Sequence, residues 1–590
     1  MSEYLFPRQD SLFVLQQLVG FEQLCQDAGL EEVNDELAVA ILDEAARLGS
    51  EQLAPSNRTG DANPAKLTEK GVEESPGFAD IYHQFCEGGW PSMQGNPEFG
   101  GQGLPNVLST AINEVWQSSN LAWALCPLLT QGAIEAIEAH ASQELKETYL
   151  PKLISGEWTA TMNLTEPDAG TDLAAIKSRA VPEGDHYRIS GQKIFITWGD
   201  HQMTDNIVHL VLARLPDAPA GPKGISLFLV PKFLLEENGA PGALNDAKAT
   251  ALEHKLGIHG SPTCVMSYGD DEGAIGYLVG EPHAGLACMF TMMNNARQGV
   301  GLQGLAISER SYQQALAYAK ERVQGTLRDG SRQTIIQHPD VRRMLMQMKA
   351  SIEAMRALTY VAAAELDRAE HAEESTEQQA RQARIALYTP IVKGWITELA
   401  QEVTYLGVQI HGGMGFIEET GAAQHYRDAR ILTIYEGTTG IQALDLVGRK
   451  TLSDRGAALE SLLQEIETDL QSLSDANPQL VEAMRQALTS GQQARDWLLE
   501  NGAKDPAAAG AGSVSMMMLL GYLCGGWQLL RASNRAAEML AAGDGDSRYL
   551  NAKQVTTQFY IEQLLPRCQS LLAAMTSGSG ATMALSEEQF

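Results

Sequence analysis

Cysteine is sparse in this chain of 590 residues, and its placement argues against two of its common uses. The seven cysteines are an odd number, they lie far apart, and no C-x-x-C pair occurs. A disulfide framework or a zinc site would need cysteines at paired or close spacing. We therefore predict reduced thiols, as in a cytoplasmic protein, and no metal site.

Positive charge is scarce as well. The chain has 43 Lys and Arg residues against 74 Asp and Glu residues, which gives a formal net charge of −31. Nucleic-acid binders depend on basic surfaces that neutralise phosphates. The composition therefore argues against a nucleic-acid partner, and an anionic substrate would be bound by a few placed Arg or Lys side chains.

Long apolar runs are rare, and only one stretch is long enough to raise the question of a membrane-spanning helix. Residues 1–18 are interrupted by charges, so we do not expect a signal peptide. Residues 506–530 carry no charge, and a spanning helix needs about 20 mostly apolar residues. Glycines dilute this run, among them the G-x-x-x-G pair Gly521 and Gly525. We predict a buried helix without a stable membrane span, and keep an interfacial helix over residues 516–527 as the alternative.

The apolar periodicity changes twice along the chain, which predicts an α+β fold. Helical spacing comes first, short β-branched runs bounded by turns follow, and helical spacing then returns. The polar stretch 54–77, which contains Pro and Gly, is interpreted as a surface excursion. The predicted boundaries are an N-terminal extension over residues 1–34, a helical domain over 35–157, a β domain over 158–280, a helical domain over 281–450, a further helical domain over 451–575 and a disordered tail over 576–590.

Residues 299–304 (GVGLQG) match the G-x-G-x-x-G pattern of a dinucleotide-binding turn. The pattern has this meaning only between a strand and a helix of a βαβ unit. Here the preceding residues 290–297 have a helical pattern, and no acidic residue follows a second strand at the required distance. We interpret these glycines as small residues that let helices approach closely.

Several motifs carry a family resemblance. Residues 165–172 (TEPDAGTD) and 194–197 (IFIT) are followed by 409–416 (QIHGGMGF), 426–430 (YRDAR) and 434–438 (IYEGT). In this order they resemble the flavin-binding and C-terminal signatures of the acyl-CoA dehydrogenase family. The resemblance implies an N-terminal helical domain, a central β-barrel-like domain and a C-terminal four-helix bundle. It also implies FAD as the cofactor and an acyl-CoA thioester as the substrate.

Glu436 is the candidate catalytic base. Removing the α-proton of a thioester requires a carboxylate whose pKa is raised toward the working pH, and burial among apolar neighbours raises it. The residues before Glu436 are mostly apolar and those after it are small. One branch of the family carries its base on the helix that here includes residues 294–297 (NNAR), and no carboxylate lies in that tetrapeptide. Glu418 and Glu419 are interpreted as a solvated pair.

The resemblance also assigns cofactor and substrate contacts. The residues that it places at FAD are Leu164, Thr165, Phe195, Thr197, Arg322, Gln409, Gly413 and Thr438. The residues that it places at the substrate are Thr171, Asn294, Arg297 and Gly437. Arg322 would pair with the pyrophosphate, although Gln324 replaces an aromatic residue common nearby. Each residue keeps a structural alternative, such as a helix-surface salt bridge for Arg297, and His411 is given no catalytic role.

Three segments resemble a bacterial branch of the family with about 600 residues. They are residues 53–61 (LAPSNRTGD), 88–90 (GGW) and 255–264 (KLGIHGSPTC). This branch implies short- or medium-chain acyl-CoA or 3-(methylthio)propanoyl-CoA as substrate, the latter a product of dimethylsulfoniopropionate breakdown. A thioether and a methylene differ too little for the sequence to separate them. Electron-transfer flavoprotein is the implied acceptor, and the added C-terminal domain favours a homodimer over a tetramer.

Three rival functions stay open at this stage. An acyl-CoA oxidase would share the fold, the base and the flavin and differ in using O₂ as acceptor. A DNA-associated, non-enzymatic branch of the family would need a basic surface, which the net charge of −31 argues against. A membrane-associated enzyme would use the apolar helix at residues 516–527.

Overall fold

The computed structural model describes residues 4–326, 328–473 and 477–590, so residues 1–3 of the predicted N-terminal extension lie outside it. The chain divides into two compact units. The helical unit comprises Met1–Ala46, Pro105–Ser118 and Arg297–Phe590. The sheet unit comprises Arg47–Leu104 and Ser119–Ala296.

The first part of the chain is helical, as its periodicity predicts. Its helices are α1 (Arg8–Phe13), α2 (Phe21–Asp27), α3 (Asp35–Leu48), α4 (Ala54–Ala62), α5 (Phe78–Glu87), α6 (Asn106–Ser119), α7 (Leu121–His140) and α8 (Gln143–Ile154), and the short strands β1 (Lys66–Thr68) and β2 (Gly71–Glu73) pair between α4 and α5. Residues 54–77, interpreted from the sequence as a surface excursion, therefore contain a helix and a pair of strands that the interpretation did not include. Pro55 lies in the first turn of α4, where its missing N–H leaves no helical hydrogen bond unmade.

Strands dominate the middle of the chain. They are β3 (Trp158–Asn163), β4 (Arg179–Glu183), β5 (His186–Thr197), β6 (Asn206–Arg214), β7 (Ile225–Pro231), β8 (Phe233–Leu235), β9 (Pro241–Leu244), β10 (Ala247–Leu252), β11 (Thr263–Tyr268) and β12 (Ala274–Val279). Eight of them form one sheet in the order β10-β11-β5-β12-β7-β6-β3, with β4 beside β5. Strands β3 and β6 run parallel, while β5 pairs antiparallel with β11, β12 and β4.

Strand β5 is longer than its sequence pattern suggests, because Gly191 continues it. This glycine has φ +143° and lies against Ser178, whose Oγ would be 2.3 Å from an added Cβ. Only glycine fits such a close approach. The two apolar runs on either side of Gly191 therefore belong to one strand, which ends in the IFIT segment at residues 194–197.

Helices return after the sheet. They are α9 (Gly285–Glu321), α10 (Pro339–Glu370), α11 (Ser375–His411), α12 (Ala422–Ala429), α13 (Thr439–Leu444), α14 (Ala457–Ser472), α15 (Pro478–Asn501), α16 (Pro506–Ala542), α17 (Ser547–Gln563) and α18 (Arg567–Met575), and the strands β13 (Val323–Thr326) and β14 (Arg332–Thr334) pair between α9 and α10. The α+β order of helices, sheet and helices is confirmed, including the additional helices after residue 450.

The G-x-G-x-x-G segment lies inside α9, so a dinucleotide-binding turn is excluded here. Added Cβ atoms at Gly301 and Gly304 would lie 2.5 Å from Val392 and 2.9 Å from Ile396, both on α11. The glycines therefore allow α9 and α11 to pack closely, as the sequence interpretation expects.

Helix α16 contains the uncharged run. By length and composition it could cross a membrane, yet 67% of its most apolar window is buried within the protein. Gly521 and Gly525 face the indole of Trp395 on α11. The G-x-x-x-G pair therefore packs one helix of this unit against another, and the prediction of a buried helix is confirmed.

Replacing Gly521 with alanine is expected to destabilise the helical unit by about 1–3 kcal/mol through overpacking. An added Cβ would be 2.1 Å from Cγ of Trp395. Gly510→Ala on the same helix is the matched control, because its Cβ would meet Leu444 only at 3.9 Å. That variant should be neutral or slightly stabilising, since alanine favours helix. Urea denaturation compares the two, and equal midpoints would contradict the packing account.

All seven cysteines are free thiols, and each except the half-buried Cys86 is buried. Within the described ranges, no group of three or more His, Cys, Asp or Glu side chains is placed to hold a metal ion.

Candidate active site

Glu436 lies in a strained turn of the helical unit. The turn joins the short 3₁₀ helix Arg430–Thr433 to α13. Glu436 has φ +56° and Gly437 has φ +85°, so both residues are in the left-handed region. Glycine adopts this region freely, whereas glutamate does so at a cost of about 1–3 kcal/mol. Strain of this kind is characteristic of functional residues that the surrounding structure holds in place.

Three side chains hold the backbone of this turn. The amide Nε2 of Gln442 donates to the carbonyl oxygen of Glu436 at 3.0 Å. The ammonium of Lys393 on α11 donates to the carbonyl oxygen of Gly437 at 2.7 Å. Thr438 caps α13, because its Oγ1 accepts from the N–H of Ile441 at 3.3 Å. The direction in which Glu436 projects is therefore fixed by both α11 and α13.

The carboxylate of Glu436 is poised to exchange a proton. Its Oε2 is buried and accepts no hydrogen bond from the part of the chain that the structure describes. Burial raises the pKa of Glu436 to about 7, while the charges of Arg297 and Lys393 act in the opposite direction. A carboxylate with this pKa is a far stronger base than an ordinary surface glutamate and still ionises near neutral pH.

Arg297 is an interior residue, so the alternative of a helix-surface salt bridge is wrong. Its side chain, on α9, is 6% exposed, and its Nη1 lies 4.0 Å from Oδ2 of Asp445. Burial lowers the pKa of Arg297, and the negative charges of Asp445 and Glu436 oppose that shift. The structure therefore brings Arg297 and Glu436 into one electrostatic environment.

The other predicted residues of the helical unit are accessible. Gln409 and Gly413 are exposed at the end of α11 and the turn that follows it, Thr438 is exposed beside Glu436, and Arg322 is exposed where α9 ends. An added Cβ at Gly413 would meet nothing within 4 Å, so a ligand can approach its backbone closely.

The neighbouring acidic and histidine residues have structural contacts. Glu418 forms an exposed bidentate pair with Arg427, and Glu419 is also exposed. His411 is buried, stacks on Tyr318 and has its Nδ1 2.7 Å from the carbonyl oxygen of Gly407.

In the sheet unit, a buried ion pair organises the predicted flavin-binding turn. The ammonium of Lys193 on β5 donates to the carbonyl oxygen of Leu164 at 3.0 Å and to Oε1 of Glu166 at 2.8 Å. The N–H of Ile194 donates to the carbonyl oxygen of Thr165 at 2.9 Å. The two flavin motifs, far apart in sequence, are therefore joined directly.

Phe195 presents an aromatic face to the outside of the sheet unit. It is 58% exposed and has φ +60°, which is uncommon for a bulky residue. Thr197 pairs in register with Thr263 of β11. An exposed aromatic side chain of this kind can contact a planar ligand ring. Thr171 and Asn294 are exposed in the same unit.

Sequence reasoning missed three residues that support these sites, namely Lys193, Lys393 and Gln442. Lys393 is the clearest omission, because it is a single cation in the apolar run 390–396 (PIVKGWI) of a long helix. A buried cation in such a run needs a partner, and that requirement was a readable signal.

Family models match four consecutive parts of the chain. They describe the acyl-CoA dehydrogenase N-terminal domain at residues 36–157, middle domain at 161–270 and C-terminal domain at 283–452, and an acetyl-CoA dehydrogenase C-terminal-like domain at 462–586. The chain belongs to the acyl-CoA dehydrogenase family. Membership confirms the enzyme class, a CH–CH oxidoreductase acting on acyl-CoA, and FAD as its cofactor.

Several relatives are similar over nearly the whole chain. A 3-methylmercaptopropionyl-CoA dehydrogenase from Ruegeria pomeroyi is 46% identical, covering 96% of this chain and 97% of the relative. A broad-specificity linear acyl-CoA dehydrogenase, FadE5 of Mycobacterium tuberculosis, is 34% identical over 100% of both chains. A butyryl-CoA dehydrogenase from Syntrophomonas wolfei is 32% identical over 100% of this chain and 99% of the relative.

Solved structures share the fold. Caenorhabditis elegans ACDH-11 in complex with C11-CoA has a TM-score of 0.77 at 19% identity, covering 96% of this chain and 93% of that one. A structure described under the electron transferring flavoprotein of Acidaminococcus fermentans has a TM-score of 0.56 at 26% identity, covering 69% of this chain and 96% of that one.

Proposed function

We propose that Glu436 is the base that removes the α-proton of an acyl-CoA thioester. The observation that carries this proposal is the buried Oε2 of Glu436, held on a strained turn with a pKa of about 7. The raised pKa favours proton transfer from the substrate to Glu436. The fixed backbone restricts the positions that the carboxylate can take relative to the substrate.

The reaction oxidises the thioester to a 2-enoyl-CoA. FAD, when bound, supplies the acceptor for the β-hydrogen, which leaves as hydride with two electrons. The α-proton passes to Glu436, and the electron pair of its C–H bond becomes the new C=C bond. The backbone N–H of Glu436 polarises the thioester carbonyl, so that negative charge developing on that oxygen is stabilised.

The motif residues divide into two binding roles in this proposal. The residues that hold FAD are Leu164, Thr165, Phe195, Thr197, Arg322, Gln409, Gly413 and Thr438. The residues that hold the substrate are Thr171, Asn294, Arg297 and Gly437. Support comes from the accessibility of Phe195, Gln409 and Gly413, and from the ordering of the Leu164–Thr165 backbone by Lys193. The resemblance aligns Arg297 with an arginine near the CoA phosphates, and its buried position favours contact nearer the reacting thioester.

The substrate is a short- or medium-chain acyl-CoA or 3-(methylthio)propanoyl-CoA. Support comes from the 46% identity to a 3-methylmercaptopropionyl-CoA dehydrogenase, which would place the enzyme in dimethylsulfoniopropionate catabolism. The butyryl-CoA and linear acyl-CoA dehydrogenases at 32% and 34% identity support the fatty acyl alternative. The proposed setting is the cytoplasm, with electron-transfer flavoprotein as acceptor.

The proposed assembly is a homodimer. Five apolar or aromatic side chains are exposed near the end of α11 and on α12, close in sequence to the proposed FAD contacts Gln409 and Gly413. They are Tyr405, Met414, Phe416, Ile417 and Tyr426. Such a cluster is a common feature of a subunit interface, and Phe416 at 85% exposure would otherwise face water.

An anaerobic substrate panel tests the proposed function. Butyryl-, octanoyl-, isovaleryl- and 3-(methylthio)propanoyl-CoA are mixed with the FAD-loaded enzyme, and bleaching of the oxidised flavin is followed. We expect rapid bleaching with at least one straight-chain or methylthio substrate and slow reoxidation in air. Rapid peroxide release would instead identify an oxidase, and no bleaching with any acyl-CoA would refute the proposal.

A further inference from the structure

A lysine is buried completely beneath the Glu436 turn. Lys393 is 0% exposed, although its helix α11 is otherwise apolar at this level, with Val392 and Ile396 among the buried neighbours. Its ammonium donates a hydrogen bond to the carbonyl oxygen of Gly437, at 2.7 Å. Burying an ammonium costs several kcal/mol unless it is paired, so a structural role alone would be served better by an apolar side chain.

The charges around Lys393 include the base itself. Burial is the largest influence on the pKa of Lys393 and lowers it, Glu436 and Glu398 raise it, and Arg297 lowers it, so that the pKa of Lys393 is about 8. Glu398 also accepts a hydrogen bond from Oγ1 of Thr439 at 2.5 Å.

The second cation near the base is Arg297, whose charge also lowers the pKa of Glu436. Arg297 lies 4.0 Å from Asp445, which in turn pairs with Arg449 at 2.5 Å. The hydroxyl of Tyr435 donates to Oε1 of Gln303. Lys393 is therefore the cation that touches the Glu436–Gly437 backbone directly and also bears electrostatically on the carboxylate.

We propose that Lys393 is a positioning residue for the dehydrogenation, which anchors the Glu436–Gly437 turn through the Gly437 carbonyl and sets the proton affinity of Glu436 by its charge. The inference rests on the proposed function of Glu436. The anchor holds a backbone conformation that costs energy, so the carboxylate stays aimed at one point. The charge opposes the rise that burial causes in the pKa of Glu436, so that a larger fraction of the base is ionised at neutral pH.

Substitutions at Lys393 separate the anchor from the charge. Lys393→Met removes both, Lys393→Gln keeps a donor without charge, and Lys393→Arg keeps the charge. Arg381→Gln is the control on the same helix, because Arg381 pairs with Glu377 and Glu365 on another face. The measurement is the rate of flavin reduction by substrate in a single turnover from pH 5 to 9, with FAD content and thermal midpoint recorded for each variant.

The acid limb of the pH profile is the range in which the rate of flavin reduction rises with pH. We expect Lys393→Met and Lys393→Gln to shift this limb to higher pH by at least about half a pH unit, which lowers the rate at pH 6 about threefold. Lys393→Gln should keep more of the limiting rate at high pH than Lys393→Met. In Lys393→Arg and Arg381→Gln the rate of flavin reduction should rise at the same pH as in the wild-type enzyme.

The possible failures are distinguishable. If wild-type flavin is reduced by acyl-CoA with a clear acid limb, and Lys393→Met retains FAD but shows the same limb, the positioning role is refuted while the proposed function stands. If the wild-type enzyme is not reduced at all, the proposed function itself fails. Should Lys393→Met not fold, an unchanged limb in folded Lys393→Gln would overturn the charge effect.

Discussion

Glu436→Gln should reduce the rate of flavin reduction by acyl-CoA by at least about 10²–10⁴-fold, while the protein still binds FAD and substrate. Glutamine has nearly the same shape as glutamate but cannot accept a proton at neutral pH. The backbone N–H of residue 436 and the hydrogen bonds from Lys393 and Gln442 to this turn do not involve the carboxylate, so they should persist. The loss should therefore fall on the chemical step.

Glu419→Gln is the matched control for this experiment. Glu419 is an exposed carboxylate in the same connecting segment and should have no effect on the rate. Single-turnover spectroscopy separates binding from chemistry, because substrate binding perturbs the spectrum of oxidised flavin before bleaching begins. A Glu436→Gln enzyme that bleaches at the wild-type rate would remove Glu436 from the mechanism.

Arg356→Met should lower the free energy of unfolding of the helical unit by about 3–5 kcal/mol. Arg356 is 1% exposed on α10 and donates to three carboxylates. These bonds reach Asp10 on α1 at 2.6 Å, Glu114 on α6 at 2.7 Å and Glu309 on α9 at 2.7 Å. Removing the guanidinium leaves the buried Glu114 and Glu309 without this counter-charge, and leaves Asp10 with that of Lys553.

The network also links the two ends of the chain. Lys553 on α17 pairs with Asp10 and with Glu353 on α10. The N-terminal extension and the additional C-terminal helices are therefore fixed to the same interior charges, which accounts for their membership in one compact unit. Loss of Arg356 should loosen both ends together.

Arg343→Met on the same helix is the control for this prediction. Its pair with Asp340 is solvent-exposed, and such pairs contribute about 0–1 kcal/mol. Urea denaturation midpoints of the FAD-loaded proteins compare the two variants. A midpoint for Arg356→Met equal to that of Arg343→Met would show that the buried network contributes no more than a surface pair.

The order of helices and strands was predictable because periodicity reports which faces are buried. The short apolar runs at residues 207–212 and 225–230 form β6 and β7, and the glycines at 299–304 were recognised as helix-packing residues. The segment at residues 54–62 was misjudged. Its polar composition and Pro55 suggested a loop, but a proline in the first turn is compatible with helix α4.

The candidate base could be found from its motif, whereas its supports could not. Lys393 lies 43 positions before Glu436 in the chain, and periodicity alone gives no indication that α11 passes beneath the turn. The same holds for Lys193 and Glu166, which join two flavin motifs that are separate in sequence. The interior position of Arg297 was also unpredictable, because arginine in a helix is usually exposed.

The most direct test of Glu436 as a buried base is the pH dependence of flavin reduction in the wild-type enzyme. Burial raises the pKa of this carboxyl from 4.5 to about 7, and only the ionised form can accept the α-proton. The single-turnover rate at low substrate should therefore rise with pH through an apparent pKa near 7 and level off above it. A rate that stays constant from pH 5 to pH 9 would contradict the account.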